Sequence, residues 1–399
     1  MKLKLYGAAA VMAVFSFGTA ALRPQVLEAM PTTVLALNAG DIIKVSIYGD
    51  DDRKDFHEYF NSGNHRDVLM SAFATSVVSI WHESQLELNS AGTAYSLKTK
   101  TLEDKFNLRE GEKFGDQPVG SLCSGSLVAE DTVMTAGHCL KPDRRGIPCE
   151  KMKVVFGFAI KQRGVYPKEI AKSEVYSCSS VIARKVDDAG PDYALIKLDK
   201  PVESHQPIAI NRGQKLEKGT ELFVIGHPSG LPVKISGNAR IRKVEKNGYF
   251  VTDLDTFVGN SGSPVFNAKT FLIEGILVRG ATDYAYPNGD EPEAIDPRGL
   301  EWMYDPGKTH SVKQDEGRGE DATKVSEAES FIKETDAEKK FKEDLGKALK
   351  EINRKSAVDS IQRTRTAPAI YLPDTNPGRI EPAIYYPDPE EIETPVIKI

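Results

Sequence analysis

Between Thr75 and Gly280 the apolar residues come in short runs cut by Gly, Pro, Asn and Asp. Ser76-Val77-Val78-Ser79-Ile80-Trp81 is the first, rich in β-branched and aromatic residues. Lys153–Phe158, Tyr193–Leu198, Glu221–Ile225, Tyr249–Leu254 and Phe271–Val278 follow. Runs of this length and composition read as β-strands. No long amphipathic helix interrupts them. A series of short strands with turn signals between them predicts an all-β sandwich or barrel.

The flanks have another texture. Residues 22–71 read as a leader or pro-segment, in which the strand-like Ile42–Tyr48 runs into the polar turn Asp50-Asp51-Asp52-Arg53-Lys54-Asp55. After about residue 305 the chain becomes highly charged. Asp321–Lys355 is dense in Lys and Glu, and its Phe341, Leu345, Leu349 and Ile352 are spaced as one face of a helix. That stripe is expected to pack on the strands; a partner-binding helix is the alternative. The last segment is proline-rich and repeats itself: Pro368-Ala-Ile-Tyr-Leu-Pro-Asp374 returns as Pro382-Ala-Ile-Tyr-Tyr-Pro-Asp388. Proline at this density favours extended chain. The expected organisation is a signal peptide over 1–21, a leader or pro-segment over 22–71, a β-rich domain over 72–305, a charged helical extension over 306–360 and a proline-rich tail over 361–399.

The N-terminus supports export. Lys2 and Lys4 precede an apolar run from Leu5 to Gly18, and the small residues Thr19, Ala20 and Ala21 follow. The run is short for a bilayer span and suits a cleaved secretory signal, after which no membrane span is expected. Four cysteines, Cys123, Cys139, Cys149 and Cys178, lack Cys-x-x-Cys spacing, so disulfides are expected in an oxidising compartment. Their three pairings are not separated by sequence. A net charge of −6 gives no reason to expect nucleic acid as partner.

Three segments carry chemistry: Thr135-Ala136-Gly137-His138-Cys139, Asp192 opening the run to Leu198, and Gly259-Asn260-Ser261-Gly262-Ser263-Pro264. A serine hydroxyl is a poor nucleophile without an adjacent base. Histidine, with an ordinary pKa near 6.5, suits that role, and a buried carboxylate fixes its tautomer. Glycines beside Ser261 permit a tight turn that aims the Gly259 and Ser261 amides at a developing oxyanion. Each segment alone has a bland structural reading. Their joint occurrence in the order His, Asp, Ser makes His138, Asp192 and Ser261 a catalytic triad. The other histidines, His57, His65, His82, His205, His227 and His310, are scattered. With no His-Glu-x-x-His or calcium loop, neither metal nor cofactor is expected.

These motifs resemble those of the trypsin/chymotrypsin superfamily over roughly residues 72–290, and the order His, Asp, Ser is the one that fold uses. The resemblance implies two six-stranded antiparallel β-barrels, here with a C-terminal helical and proline-rich extension. It also implies a secreted, monomeric serine endopeptidase acting on proteins or peptides. It pairs Cys123 with Cys139, and so leaves Cys149 with Cys178. The closer resemblance is to the bacterial branch with the glutamyl endopeptidases, through Asp255-Thr256, Ile47–Arg53 and Ile225-Gly226-His227-Pro228. A bacterial periplasmic or extracellular location follows from it.

Two departures matter. Asn260 stands where vertebrate-type members place an Asp that pairs with a new N-terminal amine, so activation by that ion pair is not expected. Leu277 stands where the glutamyl branch places its substrate-binding His. The implied substrate-binding residues are Asp255, Thr256, Leu277 and Arg279. Asp255 matches the carboxylate that selects Lys or Arg in trypsin-like members, and Thr256 one that contacts acidic substrates. Arg279 either supplies a positive charge, pairs with Asp255 or lies exposed at a strand end. The rival reading is a catalytically silent barrel acting as a protein-binding module, although no triad member is lost.

Overall fold

The computed structural model describes residues 47–140, 146–213, 215–280, 283–286, 306–314 and 316–366, with side chains up to residue 356. Two β-barrels dominate it. The first contains β1 (Val77–His82), β2 (Cys123–Ala129), β3 (Thr132–Thr135), β4 (Met152–Val155), β5 (Val175–Val186) and β6 (Asp192–Leu198). Its strands are antiparallel in the closed order β1-β2-β3-β6-β5-β4, with β4 returning to β1. The second contains β7 (Glu221–Gly226), β8 (Lys234–Val244), β9 (Tyr249–Thr252), β10 (Pro264–Asn267), β11 (Ile273–Arg279) and β12 (Glu320–Lys324). Its order is β7-β8-β9-β12-β11-β10, with β10 returning to β7. The second barrel thus repeats the connectivity of the first. Both are six-stranded antiparallel barrels, the architecture that the resemblance implies. Closure leaves no free sheet edge in either ring.

Burial follows the strand pattern. Val78, Ile80, Leu127, Val133, Val154, Leu195 and Ile196 are sealed in the first barrel, and Ile241, Phe250, Leu254 and Val265 in the second. Each such aliphatic side chain contributes roughly 1.5–3 kcal/mol through burial. Two disulfides brace the first barrel, Cys123–Cys139 and Cys149–Cys178.

The segment expected to be a leader is, from residue 47 onward, part of this body. Ile47–Tyr48 pairs with Ser311–Val312, and Lys54–Asp55 pairs with the start of β8. Helices α1 (Phe56–Phe60) and α2 (His65–Ala74) follow. Asn64 caps α2 by accepting from the Arg66 amide. Leu69, Met70, Phe73 and Ala74 fall on one buried face, and Phe73 packs on Phe266, Phe271 and Phe341. A ten-residue helix carries too few turns for its periodicity to stand out in sequence.

The boundary expected at residue 305 also moves. β12 lies beyond it and closes the second barrel. Its sequence, Glu-Asp-Ala-Thr-Lys, has one apolar residue, Ala322, facing the core, while Glu320, Asp321 and Thr323 are buried polar groups. The charged helix α3 (Asp336–Thr366) starts only after this strand and two 3-10 turns. Leu345, Leu349 and Ile352 are buried and Phe341 packs beside them, as the stripe predicts. The proline-rich tail from 367 and the signal segment lie outside the described residues.

The seam between residues 47–55 and the second barrel is polar. The Lys234 ammonium, 2% exposed, donates to Asp55 at 2.6 Å, Gln117 at 2.8 Å and the Pro232 carbonyl at 2.9 Å. All three of its protons are therefore used, which offsets part of the cost of burying the cation, although burial still pulls it down to about 8. Nearby, the Tyr48 and Asp52 amides donate to the two oxygens of Asp255, at 2.8 and 3.2 Å. Asp52 accepts from Ser236 at 2.5 Å and from the Gly237 amide at 3.0 Å. Burial, then the neighbouring carboxylates, push Asp255 up to about 8, and burial also raises Asp52.

In the unfolded chain both carboxyls ionise near pH 4. The folded seam therefore holds a proton that the unfolded chain has lost. Its stabilisation is complete below about pH 4 and is lost as pH rises through about 8. Thermal melts from about pH 6 to 9 should show a loss of stability in the wild type and a smaller one in Asp52→Asn. Equal slopes in the two proteins would contradict this account of the seam.

Candidate active site

β3 and β6 set the first half of the site. They pair with Ala194 opposite Thr135, which brings the start of β6 beside the turn after β3. Asp192 is the first residue of β6 and His138 lies on that turn, Gly137–Leu140. Asp192 Oδ2 is 2.7 Å from His138 Nδ1, and its Oδ1 accepts from the His138 amide at 3.0 Å. Both oxygens of a carboxylate that is 4% exposed thus face one histidine. This fixes the tautomer: Nδ1 carries the proton, and Nε2 is left as the base. Arg184 Nε holds the turn through the Gly137 carbonyl at 2.8 Å.

A residue that sequence reasoning missed holds Asp192. Thr323 Oγ1, on β12 of the other barrel, accepts from the Asp192 amide at 2.9 Å and donates to its carbonyl at 3.0 Å. A threonine in a Lys- and Glu-rich stretch gives no signal of this role.

Ser261 arrives from the second barrel, and Ser124 on β2 secures it. The Ser124 amide donates to the Ser261 carbonyl at 2.9 Å, and its hydroxyl to the Gly259 carbonyl at 2.8 Å. The Ser124 carbonyl accepts from Thr135 Oγ1 at 2.7 Å, three residues before His138. Cys139 Sγ lies 3.7 Å from the Ser261 carbonyl, so the disulfide next to His138 abuts the serine turn. The Ser261–His138 bond itself is not closed in this structure; such bonds tighten when substrate binds.

The turn orients its amides selectively. The Asn260 and Gly262 amides donate to the Phe257 and Leu277 carbonyls, at 2.9 and 2.7 Å. Among the described residues, the Gly259 and Ser261 amides donate to no backbone acceptor. These are the two donors expected for the oxyanion. Gly259 has φ of 93°, and a side chain there would meet the His227 carbonyl at 2.7 Å. Gly262 has φ of 91°, and a side chain there would strike the Ser124 carbonyl at 2.2 Å. Only glycine fits both positions.

The expected substrate-binding residues separate. Asp255 is buried with both oxygens on the Tyr48 and Asp52 amides, so it presents no free carboxylate. Arg279 does not pair with it: its guanidinium sits on Asp321 at 3.1 Å and on the Asp187 and Gly190 carbonyls. Leu277 is a core residue, 3% exposed. Thr256 donates to Glu320 at 2.6 Å. Asn260 accepts from Ser263 Oγ at 3.3 Å and offers no charge to an amine. His227 is a buried turn residue whose Nδ1 bonds the Leu231 carbonyl at 2.9 Å, and burial pushes it down to about 3. Cys123 and Cys139 lie close to His138, but their disulfide leaves no thiolate to hold a metal.

Residues 123–273, which include His138, Asp192 and Ser261, match the trypsin-like peptidase domain family. No curated protein sequence matches the chain. Among solved structures, the chain is similar to Rv3671c from M. tuberculosis H37Rv in an inactive form, at 14% identity over 68% of this chain and 91% of that one, with a TM-score of 0.34. It is similar to the Vibrio cholerae VesB protease at 15% identity, over 65% and 63% of the two chains, with a TM-score of 0.38. A Glu endopeptidase in complex with MPD matches at 18% identity, over 61% and 89%, with a TM-score of 0.36.

Proposed function

We propose that the chain is a secreted serine endopeptidase that cleaves peptide bonds through an acyl-enzyme on Ser261. The carrying observation is the two-point grip of Asp192 on His138, set beside a serine turn whose Gly259 and Ser261 amides donate to no backbone acceptor among the described residues. His138 Nε2 takes the Ser261 proton as Oγ attacks the carbonyl, and returns it to the leaving amine. Asp192 stabilises the imidazolium that forms between these steps. The two amides receive the oxyanion. Water then repeats the sequence and releases the acid. Two disulfides support an oxidising compartment, in keeping with export.

Hydrolysis of a peptide library by the purified chain tests this reading. Ser261→Ala should abolish cleavage, and Asp192→Asn should lower kcat about 10⁴-fold by favouring the wrong tautomer. Library cleavage that survives Ser261→Ala would contradict the proposal.

Thr323 is a positioning residue in this scheme. Thr323→Val leaves the Asp192 amide without its acceptor, although the β-branched shape is kept. Steady-state kinetics should show a lower kcat with little change in KM, recovered in Thr323→Ser. Equal loss in the valine and serine variants would remove Thr323 from the account.

A further inference from the structure

Ser229 is a buried residue held in a conformation that serine rarely adopts. Its φ of 53° and ψ of 13° are left-handed, a region disfavoured for any residue with a side chain because Cβ crowds the carbonyl oxygen. Among the described non-glycine residues with positive φ, it is the one whose amide reaches the chain leading into Ser261. That amide donates to the Val258 carbonyl at 2.5 Å. The strained residue therefore bonds the peptide that carries one of the two expected oxyanion donors, and strain held at such a place points to a role in the chemistry.

The bond selects one of two orientations of the peptide between Val258 and Gly259. That peptide is trans and planar, so its carbonyl and its N–H point to opposite sides. With the carbonyl on Ser229, the Gly259 N–H is directed away from that turn. Gly259 does not enforce this choice itself, since glycine takes φ of either sign. Both neighbouring peptides are fixed by other groups: the Val258 amide donates to Asp283 Oδ2 at 2.7 Å, and the Gly259 carbonyl accepts from Ser124 Oγ at 2.8 Å. Among the described residues, Ser229 supplies the backbone bond to the middle peptide. Turned over, that peptide would put the Val258 carbonyl where the Gly259 N–H now points.

Ser229 is itself well fastened. Its hydroxyl lies 2.6 Å from the Tyr284 hydroxyl, and the Tyr284 ring packs on Phe257 with centroids 5.3 Å apart. The Gly230 and Leu231 amides close the turn on the His227 and Pro228 carbonyls, at 3.0 and 2.9 Å, and the Gly230 carbonyl accepts from the Gly120 amide at 3.0 Å. The His227 amide donates to Ser124 Oγ, the same group that holds the Gly259 carbonyl.

We propose that Ser229 is a positioning residue for catalysis: its left-handed backbone keeps the Val258 carbonyl turned away, so that the Gly259 amide faces the oxyanion before substrate arrives. The proposal rests on the peptidase reading above. A donor preset in this way needs no reorganisation in the transition state. A residue that does not hold the left-handed conformation withdraws the Ser229 amide, and the freed peptide presents an acceptor to the oxyanion in place of a donor.

The test sets Ser229→Thr against Ser229→Gly. Threonine keeps the hydroxyl, but its β-branch disfavours positive φ; glycine loses the hydroxyl and adopts positive φ without strain. Competent sites are counted by titrating Ser261 to completion with a fluorophosphonate, and kcat and KM are measured on one peptide. Ser229→Thr should lose about 10- to 100-fold in kcat with KM little changed. Its affinity for a peptide aldehyde, whose adduct on Ser261 carries the oxyanion, should fall in parallel. Both quantities should be recovered in Ser229→Gly. Equal loss in the two variants overturns the assignment, as does a folded Ser229→Thr with wild-type kcat. If Ser229→Thr does not fold, Tyr284→Phe decides. It removes the hydroxyl that fastens Ser229 and should lower kcat and aldehyde affinity together by about 10-fold; unchanged values overturn the assignment. A wild-type chain that takes up no fluorophosphonate overturns the peptidase reading and this one with it, whereas full titration with contrary variants overturns this one alone.

Discussion

Ser124 joins the two halves of the site. Its amide and hydroxyl hold the carbonyls of Ser261 and Gly259, and its own carbonyl is held by Thr135. Its hydroxyl also accepts from the His227 amide at 2.9 Å. The triad is divided: His138 and Asp192 belong to the first barrel and Ser261 to the second. No strand crosses from one ring to the other to fix their distance. The junction at Ser124, backed by the Cys123–Cys139 disulfide, supplies that constraint. A displacement of about 1 Å at such a site costs on the order of 10²-fold in rate, so this small set of bonds governs the chemistry.

The second constraint runs the opposite way, from the far end of the chain. β12 closes the second barrel and delivers three residues in sequence, each to a different task. Glu320 accepts from Thr256 and Tyr48, Asp321 binds Arg279 and Arg318, and Thr323 holds Asp192. A segment written in charged residues thus forms an interior strand because each polar side chain finds a partner. Its backbone completes the ladder between β9 and β11.

That explains what the sequence made legible and what it did not. The proposed triad was suggested by short motifs of glycine, histidine and serine, and the structure sets Asp192 against His138. Half of each barrel was readable from apolar runs: β1, β4 and β6 in the first and β7, β9 and β11 in the second. β12 was not, since apolar patterning sees only Ala322 in it. β8 was hard for a related reason: its second half alternates between buried and exposed positions amid Arg and Lys. The segment 47–55 read as part of a leader or pro-segment, yet Asp55 is buried on Lys234 and Asp52 accepts from Ser236. Asp255 shows the limit of position as a guide. It occupies the place of a substrate-reading carboxylate, but its oxygens are taken by the Tyr48 and Asp52 amides.

The central claim is that two barrels, joined at Ser124, make Ser261 a nucleophile facing a preformed pair of amides. A crystal structure of the chain after reaction with a fluorophosphonate tests it most directly. The account predicts a single adduct on Ser261 Oγ, with the phosphoryl oxygen about 2.7–3.1 Å from the Gly259 and Ser261 amides. An adduct on another residue, or a phosphoryl oxygen turned away from those amides, would contradict it.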